Sequence, residues 1–300
     1  MKPDSIRTYI EKNLGAPGRD LYRLPESTAR FPDGAHYRTE LLPTTVEEYR
    51  EVFGLCEKHD FVCNKITDTR GAMFDTDDEI VEKCMMCRGM GAELVMSPGS
   101  GEHPKDISHQ MAVGGMADGK SRGMDMLVRN IADMMRCIEL GCRSFLVYDE
   151  GMILAVSKLR QDGVIPSETT FKLSANLSIS NPLAFKFWVE KAGLMPNDSL
   201  NPIRDMTLPM LAAMRAATDQ PMDVHAYWGT SIARTLDTPE ILRVAAPVYF
   251  KVAVFGPGVT GQDKFMQALR VVETIKRYYP EARQSVKNAE GMVLPAPAVK

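Results

Sequence analysis

Four basic side chains interrupt stretches that are otherwise largely apolar: Arg38 in AHYRTELL, Lys172 in TFKLSANLS, His225 in MDVHAYW and Lys251 in VYFKVAVF. Desolvating an unpaired charge is costly, so charges inside such runs need partners. Either they pair with Glu40, Asp149 and similar carboxylates in a network that fills the protein, or they line a polar site for a charged small molecule. His225 can act as a neutral general base or as a metal ligand. Lys65, in FVCNKIT, joins Lys172 and Lys251 as a candidate imine-forming amine, because an apolar setting depresses a lysine pKa.

In the stretch FLVYDEGM the apolar run gives way to two adjacent carboxylates, Asp149 and Glu150, and a glycine. Neighbouring residues of a strand point to opposite faces, so one of the two is expected to reach inward. The other is expected to meet the N-terminus of the following helix, where the dipole favours an anion. Glu40, Asp149, Glu150 and His225 are therefore the candidate acid/base groups. Together with Asp205 they could supply an N/O site, which leaves a divalent metal open as a cofactor. Cys84-Met-Met-Cys87 has metal or redox spacing, with Cys56, His59 and Cys63 as conceivable partners, yet it falls in a helical stretch and reads as buried thiols.

The elements that must position these groups alternate. Strands are expected at 35–42, 61–67, 92–97, 143–149, 170–178, 200–205, 222–228 and 248–255. Helices follow each of them, several with explicit start signals: Thr45…Glu48 and Thr76…Glu79 as capping boxes, Asn181-Pro182, and Thr238-Pro-Glu. The helix from about 124 to 140 repeats apolar residues at three and four. Eight such alternations predict a parallel sheet closed into a (β/α)8 TIM barrel, with an open doubly wound sheet as the alternative. Residues 1–34 read as an N-terminal extension, 35–285 as the barrel and 286–300 as a flexible tail.

In a barrel of this kind the site lies at the C-terminal ends of the strands. That rule selects Arg38, Lys65, Lys172, Asn176, Arg204, Asp205 and Lys251 as substrate-binding candidates. Two glycine-containing loops add to them. Residues 97–125 form an unusually long connection in which Arg122 stands just before a helix, and Gly256 and Gly258 follow the eighth strand, where barrels often bind phosphate.

The order FPDGAHYRTE, SRGMD, LVYDEGM, SANLSISNP, IRDMTL and DVHAYWG resembles the U-32 (collagenase-like) peptidases over most of residues 31–260. Asn176, Arg204-Asp205-Met-Thr-Leu208 and Asp223 to Gly229 take the places of that family's motifs. The resemblance implies a barrel acting on a peptide-like substrate. The family's cysteine pair has no counterpart here, so an iron–sulfur cluster is not implied.

A net charge of −3 gives no electrostatic case for nucleic acid or an anionic membrane. No apolar stretch is long enough to span a bilayer. Six cysteines without a secretory signal read as reduced thiols in a cytoplasmic protein. No G-x-S-x-G, H-E-x-x-H or P-loop occurs. The leading expectation is hydrolase-like acid/base chemistry on a small anionic or peptide-like substrate. The alternatives are a lyase or aldolase using a barrel lysine or a metal, and a non-catalytic binding or assembly protein. Twenty methionines leave room for an apolar homo-oligomer interface.

Overall fold

Period-two alternation in the strands sorts side chains into two environments. In β1 (Tyr37–Leu41) the outward residues Tyr37 and Leu41 join the main apolar core, whereas Arg38 and Glu40 take the opposite face. In β9 (Val248–Ala253) the outward set is Val248, Phe250 and Val252, and Tyr249 and Lys251 alternate with it. In β7 (Met222–Trp228) Met222 and Val224 face outward, and Asp223 and His225 face inward. Apolar faces thus pack against a surrounding layer of helices, and the interior receives the charges.

The computed structural model describes residues 3–19, 23–99, 120–228 and 232–286. Five further parallel strands complete the barrel: β2 (Lys65–Asp68), β3 (Glu93–Met96), β4 (Ser144–Val147), β5 (Thr170–Leu173) and β6 (Ser199–Leu200). Each pairs with its sequence neighbour, β9 pairs with both β1 and β7, and β6 pairs with β7, so the parallel sheet closes on itself. A short β8 (Ile232–Ala233) only folds back antiparallel on β7. Eight helices alternate with the strands among the described residues: α2 (Val46–Lys58), α3 (Asp77–Met90), α4 (Gly123–Glu139), α5 (Glu150–Gln161), α6 (Pro182–Lys191), α7 (Leu208–Ala216), α8 (Thr238–Ala245) and α9 (Gly261–Tyr278). The fold is a (β/α)8 TIM barrel, preceded by a helix α1 (Pro3–Leu14). No described helix is long and apolar enough to cross a membrane.

The start signals act as their chemistry requires. Thr76 and Glu79 form a complete capping box on α3, and Asn181 caps α6 with Pro182 in its first turn. Thr45 caps α2, but Glu48 reaches back to the Thr44 amide and pairs with Lys264 of α9. Seven of the eight barrel strands are shorter than expected, three of them with a local cause. Residues 61–64 stay outside the sheet, because the Asn64 side chain takes the Thr39 amide. The fifth strand ends at Leu173, and 175–177 form a 3₁₀ turn stabilised by Ser174. The sixth is two residues long, since Pro202 has no amide to donate to the ladder. The expected Gly-rich loop lies mostly outside the described residues, as does most of the expected tail.

The N-terminal end of the barrel is plugged. Phe31, Ala35 and Tyr249 form their own apolar cluster, and the Arg38 guanidinium lies 4.2 Å from the Phe31 ring centre. Arg38 donates to the Ser285 and Tyr249 hydroxyls, each at 2.9 Å. Arg38 therefore braces the floor, on the side opposite the mouth.

Candidate functional site

Above that floor the inward faces build a chain of charges. Register places His225, Lys251, Glu40, Lys65 and Glu93 side by side across five adjacent strands. Asp223 joins two of the lysines: its Oδ1 lies 3.3 Å from Lys65 Nζ and 3.0 Å from Lys172 Nζ. Lys172 also contacts Glu40 directly, and Lys65 lies 3.5 Å from Glu93 Oε2. Lys65 Nζ sits 3.4 Å from the Tyr249 ring centre, a cation–π contact that further fixes it. All seven of these residues are at most 3% exposed.

The surroundings push the two carboxyls at Lys172 apart. Burial raises the Glu40 carboxyl and outweighs the attraction of Lys172. Burial also opposes the Asp223 charge, but Lys172 and Lys65 together hold that carboxyl well below the usual carboxylate range. Lys65 resists burial in the same way, because Asp223 and Glu93 keep it well above the ordinary lysine range. Asp223 is thus a fixed anion between two ammonium groups, and Glu40 is the carboxyl best suited to carry a proton. An ammonium held this firmly is a poor imine-forming nucleophile, which separates Lys65 from the role expected of it.

His225 differs from the rest of the cluster. It is 2% exposed, and neither ring nitrogen has a hydrogen-bond partner among the described residues. Burial lowers its pKa well below the usual value, and Lys251, Arg204 and Lys172 lower it further. The ring is therefore a neutral imidazole in a positive field.

A bulge in β7 prepares the rim above it. The pairing with β9 shifts between His225 and Tyr227, so Tyr227 packs against the outer core and the strand leaves Trp228 beside Arg204. Arg204 lies 4.7 Å from the Trp228 ring centre and donates to Asn176 Oδ1 at 3.0 Å. That bond fixes the Asn176 amide, whose Nδ2 is buried and unpartnered. Arg204 and Asn176, both half-buried, thus form one unit at the mouth.

The other expected site residues lie elsewhere. Asp149 caps α5, accepting from the Met152 amide at 2.9 Å, and also accepts from the Ser121 amide at 2.6 Å. Glu150 is exposed and pairs with Lys120. Alternation holds through Leu146 and Tyr148, which meet Val95 inside the barrel, but helix geometry begins at Glu150. Neither carboxylate joins the cluster, and the inward side chain at that strand end is Tyr148. We expect Asp149→Ala to lower stability by about 1 kcal/mol through the lost cap, read by chemical denaturation, with ligand binding unchanged.

Asp205 is exposed, and Arg122 lies at the N-cap of α4 without a side-chain cap bond. Gly256 and Gly258 take positive φ in the loop after β9. Two amides at the start of α9 are occupied, Thr260 by Asp263 and Gly261 by Glu51 at 2.8 Å. The six thiols all lie in the core between barrel and helices, and His59 packs on Phe265. Among the described residues no group of three or more His, Cys, Asp or Glu side chains is placed to hold a metal ion. The set Glu40, Asp149, Glu150, Asp205 and His225 is accordingly not brought together.

Two members of the cluster escaped the sequence reading as site residues, Asp223 and Glu93. Counting back two from His225 gives Asp223, a usable signal. Glu93 opens its strand, where no alternation precedes it.

No protein-family model matches the chain, and no curated protein matches it. Among solved structures it is similar to the YdjI aldolase of Escherichia coli K12 (13% identity, 81% of this chain and 92% of that one, TM-score 0.49). It is also similar to a putative fructose-1,6-biphosphate aldolase of Coccidioides immitis (12%, 82% and 90%, TM-score 0.47). D-psicose 3-epimerase of Clostridium cellulolyticum H10 shows a similarity of the same kind (10%, 81% and 98%, TM-score 0.42).

Proposed function

We propose that the protein is a lyase- or isomerase-type enzyme that moves a proton next to the carbonyl of a small carboxylate bound at the barrel mouth. The observation that carries this reading is His225: a buried neutral imidazole with both nitrogens unpartnered, among Lys251, Arg204 and Lys172. Leaving such a group unsatisfied costs about 1–3 kcal/mol, a penalty that a bound polar ligand removes. Three cations around it favour an anionic ligand.

Arg204, steadied by Asn176 and Trp228, takes the carboxylate. The substrate's negative charge offsets the cations that depress the imidazole, so His225 becomes a stronger base when substrate is present. His225 then accepts the proton from the carbon beside the carbonyl. Lys251 and Lys172 face the charge that develops on the carbonyl oxygen, and Glu40 is the group able to return a proton. A peptidase-like reading lacks comparable support, because the thiols lie outside the barrel and Asp149 and Glu150 lie outside the cluster.

The test is proton exchange in heavy water, followed by NMR on a panel of small 2-oxo and 2-hydroxy carboxylates. The wild type should exchange the hydrogen beside the carbonyl of at least one of them without forming a borohydride-trappable adduct. Exchange on none of them would overturn the reading. An adduct on Lys251 would replace it with the imine alternative.

A further inference from the structure

Resting on that reading of the site, the geometry points to a substrate that is a hydroxylated carboxylate, its hydroxyl hydrogens received by Asn201 and Ser97. Ser199 Oγ accepts from Lys65 inside the barrel at 3.3 Å. Asn201 lies two residues on, so it shares that inward face one step nearer the mouth. It is fully buried. Its amide orientation is fixed, because Nδ2 donates to the Leu173 carbonyl at 2.9 Å, which leaves Oδ1 as the free end. That oxygen has no donor among the described residues.

Next along β7, the Asp223 carboxylate is an acceptor, and the one acceptor nitrogen of a neutral His225 is reserved for the proton from carbon. Across the barrel the Ser97 hydroxyl is buried and also unpartnered. The cations are the other part of the site: Arg204 stands on the rim, and Lys172 and Lys251 lie among the acceptors, Lys172 at 3.0 Å from Asp223 Oδ1 and Lys251 beside His225. A ligand that matches both parts presents an anionic group to Arg204 and hydroxyl hydrogens to the acceptors below it. A peptide fits less well: each of its residues offers one N–H in a fixed place, and its carbonyls would face acceptors.

A three-carbon series tests this directly: propionate, lactate and glycerate, differing only in hydroxyl count. Their affinities, measured by calorimetry, should rise with each hydroxyl by about two- to tenfold, the worth of one hydrogen bond of 0.5–1.5 kcal/mol. Asn201→Leu should weaken glycerate and lactate and leave propionate where it was. Asn201→Asp, which keeps the acceptor, should retain the order. Equal affinity for all three acids in the wild type would overturn the inference alone, and would mean that water fills the acceptors. Failure of all three to bind would overturn both this inference and the carboxylate site beneath it. The wild-type series stands even if Asn201→Leu does not fold.

Discussion

Asp223→Asn should destabilise the protein by about 3–5 kcal/mol, the cost of leaving buried charge unpaired. The same Asp223 oxygen serves Lys65 and Lys172, and all three side chains are essentially inaccessible to water. An amide keeps the shape but supplies no charge, so two ammonium groups would face each other across a neutral side chain. Glu93 and Glu40 remain, but each already serves its own lysine. Chemical denaturation of the wild type, Asp223→Asn and the double variant Asp223→Asn/Lys65→Met measures the effect. The double variant should recover part of the loss, because removing both partners also removes the stranded charge. A single-variant loss below about 1 kcal/mol would mean that the cluster is solvated and that the charges do not depend on one another.

His225→Asn should lower the exchange rate by about 10²–10⁴-fold, the usual contribution of a positioned general base. It should do so without loss of fold, since the ring makes no hydrogen bond that the variant could break. Its effect on stability depends on pH with a definite sign. The folded-state pKa is depressed, so the unfolded chain binds more protons between that value and about 6.5. Stability from this group is fully present above about 6.5 and is lost as pH falls, by about 1.4 kcal/mol per pH unit, until the folded-state pKa is reached. The variant lacks that loss and should gain on the wild type in mild acid. His36 is also depressed, by burial and then by Arg30 and Arg283, but it is common to both proteins and cancels in the comparison. Parallel stability curves for the two proteins would mean that His225 is not held neutral.

The barrel was readable because its eight repeats each announce themselves locally, through apolar runs of strand length and through caps such as Thr76 with Glu79. The charged interior was readable in outline for the same reason: Lys172, His225 and Lys251 stand at alternate positions between apolar residues. What could not be read was partnership. Arg38 resembles Lys172 in sequence, yet one braces the floor against Ser285 and the other meets Glu40, and that difference depends on how far along its strand each residue sits. Asp149 and Glu150 showed the limit of period-two reasoning, because the chain changes from strand to helix between Val147 and Glu150. The bulge that sets Trp228 beside Arg204 left no mark of its own, since one extra residue in a seven-residue strand is invisible until its neighbour's register is known. Glycine at 256 and 258 suggested an anion cradle, but two of the amides that follow them are taken, Thr260 by Asp263 of its own capping box and Gly261 by the distant Glu51.

The most direct test of this account is an NMR titration of the His225 ring, assigned by comparison with His225→Asn, with and without saturating pyruvate. A neutral imidazole through pH 6.5 and well below it in the free protein, with a pKa that rises when pyruvate binds, is the predicted result. A ring that titrates near its ordinary value and does not respond to the anion would contradict the placement of the base, the positive field around it and the carboxylate site together.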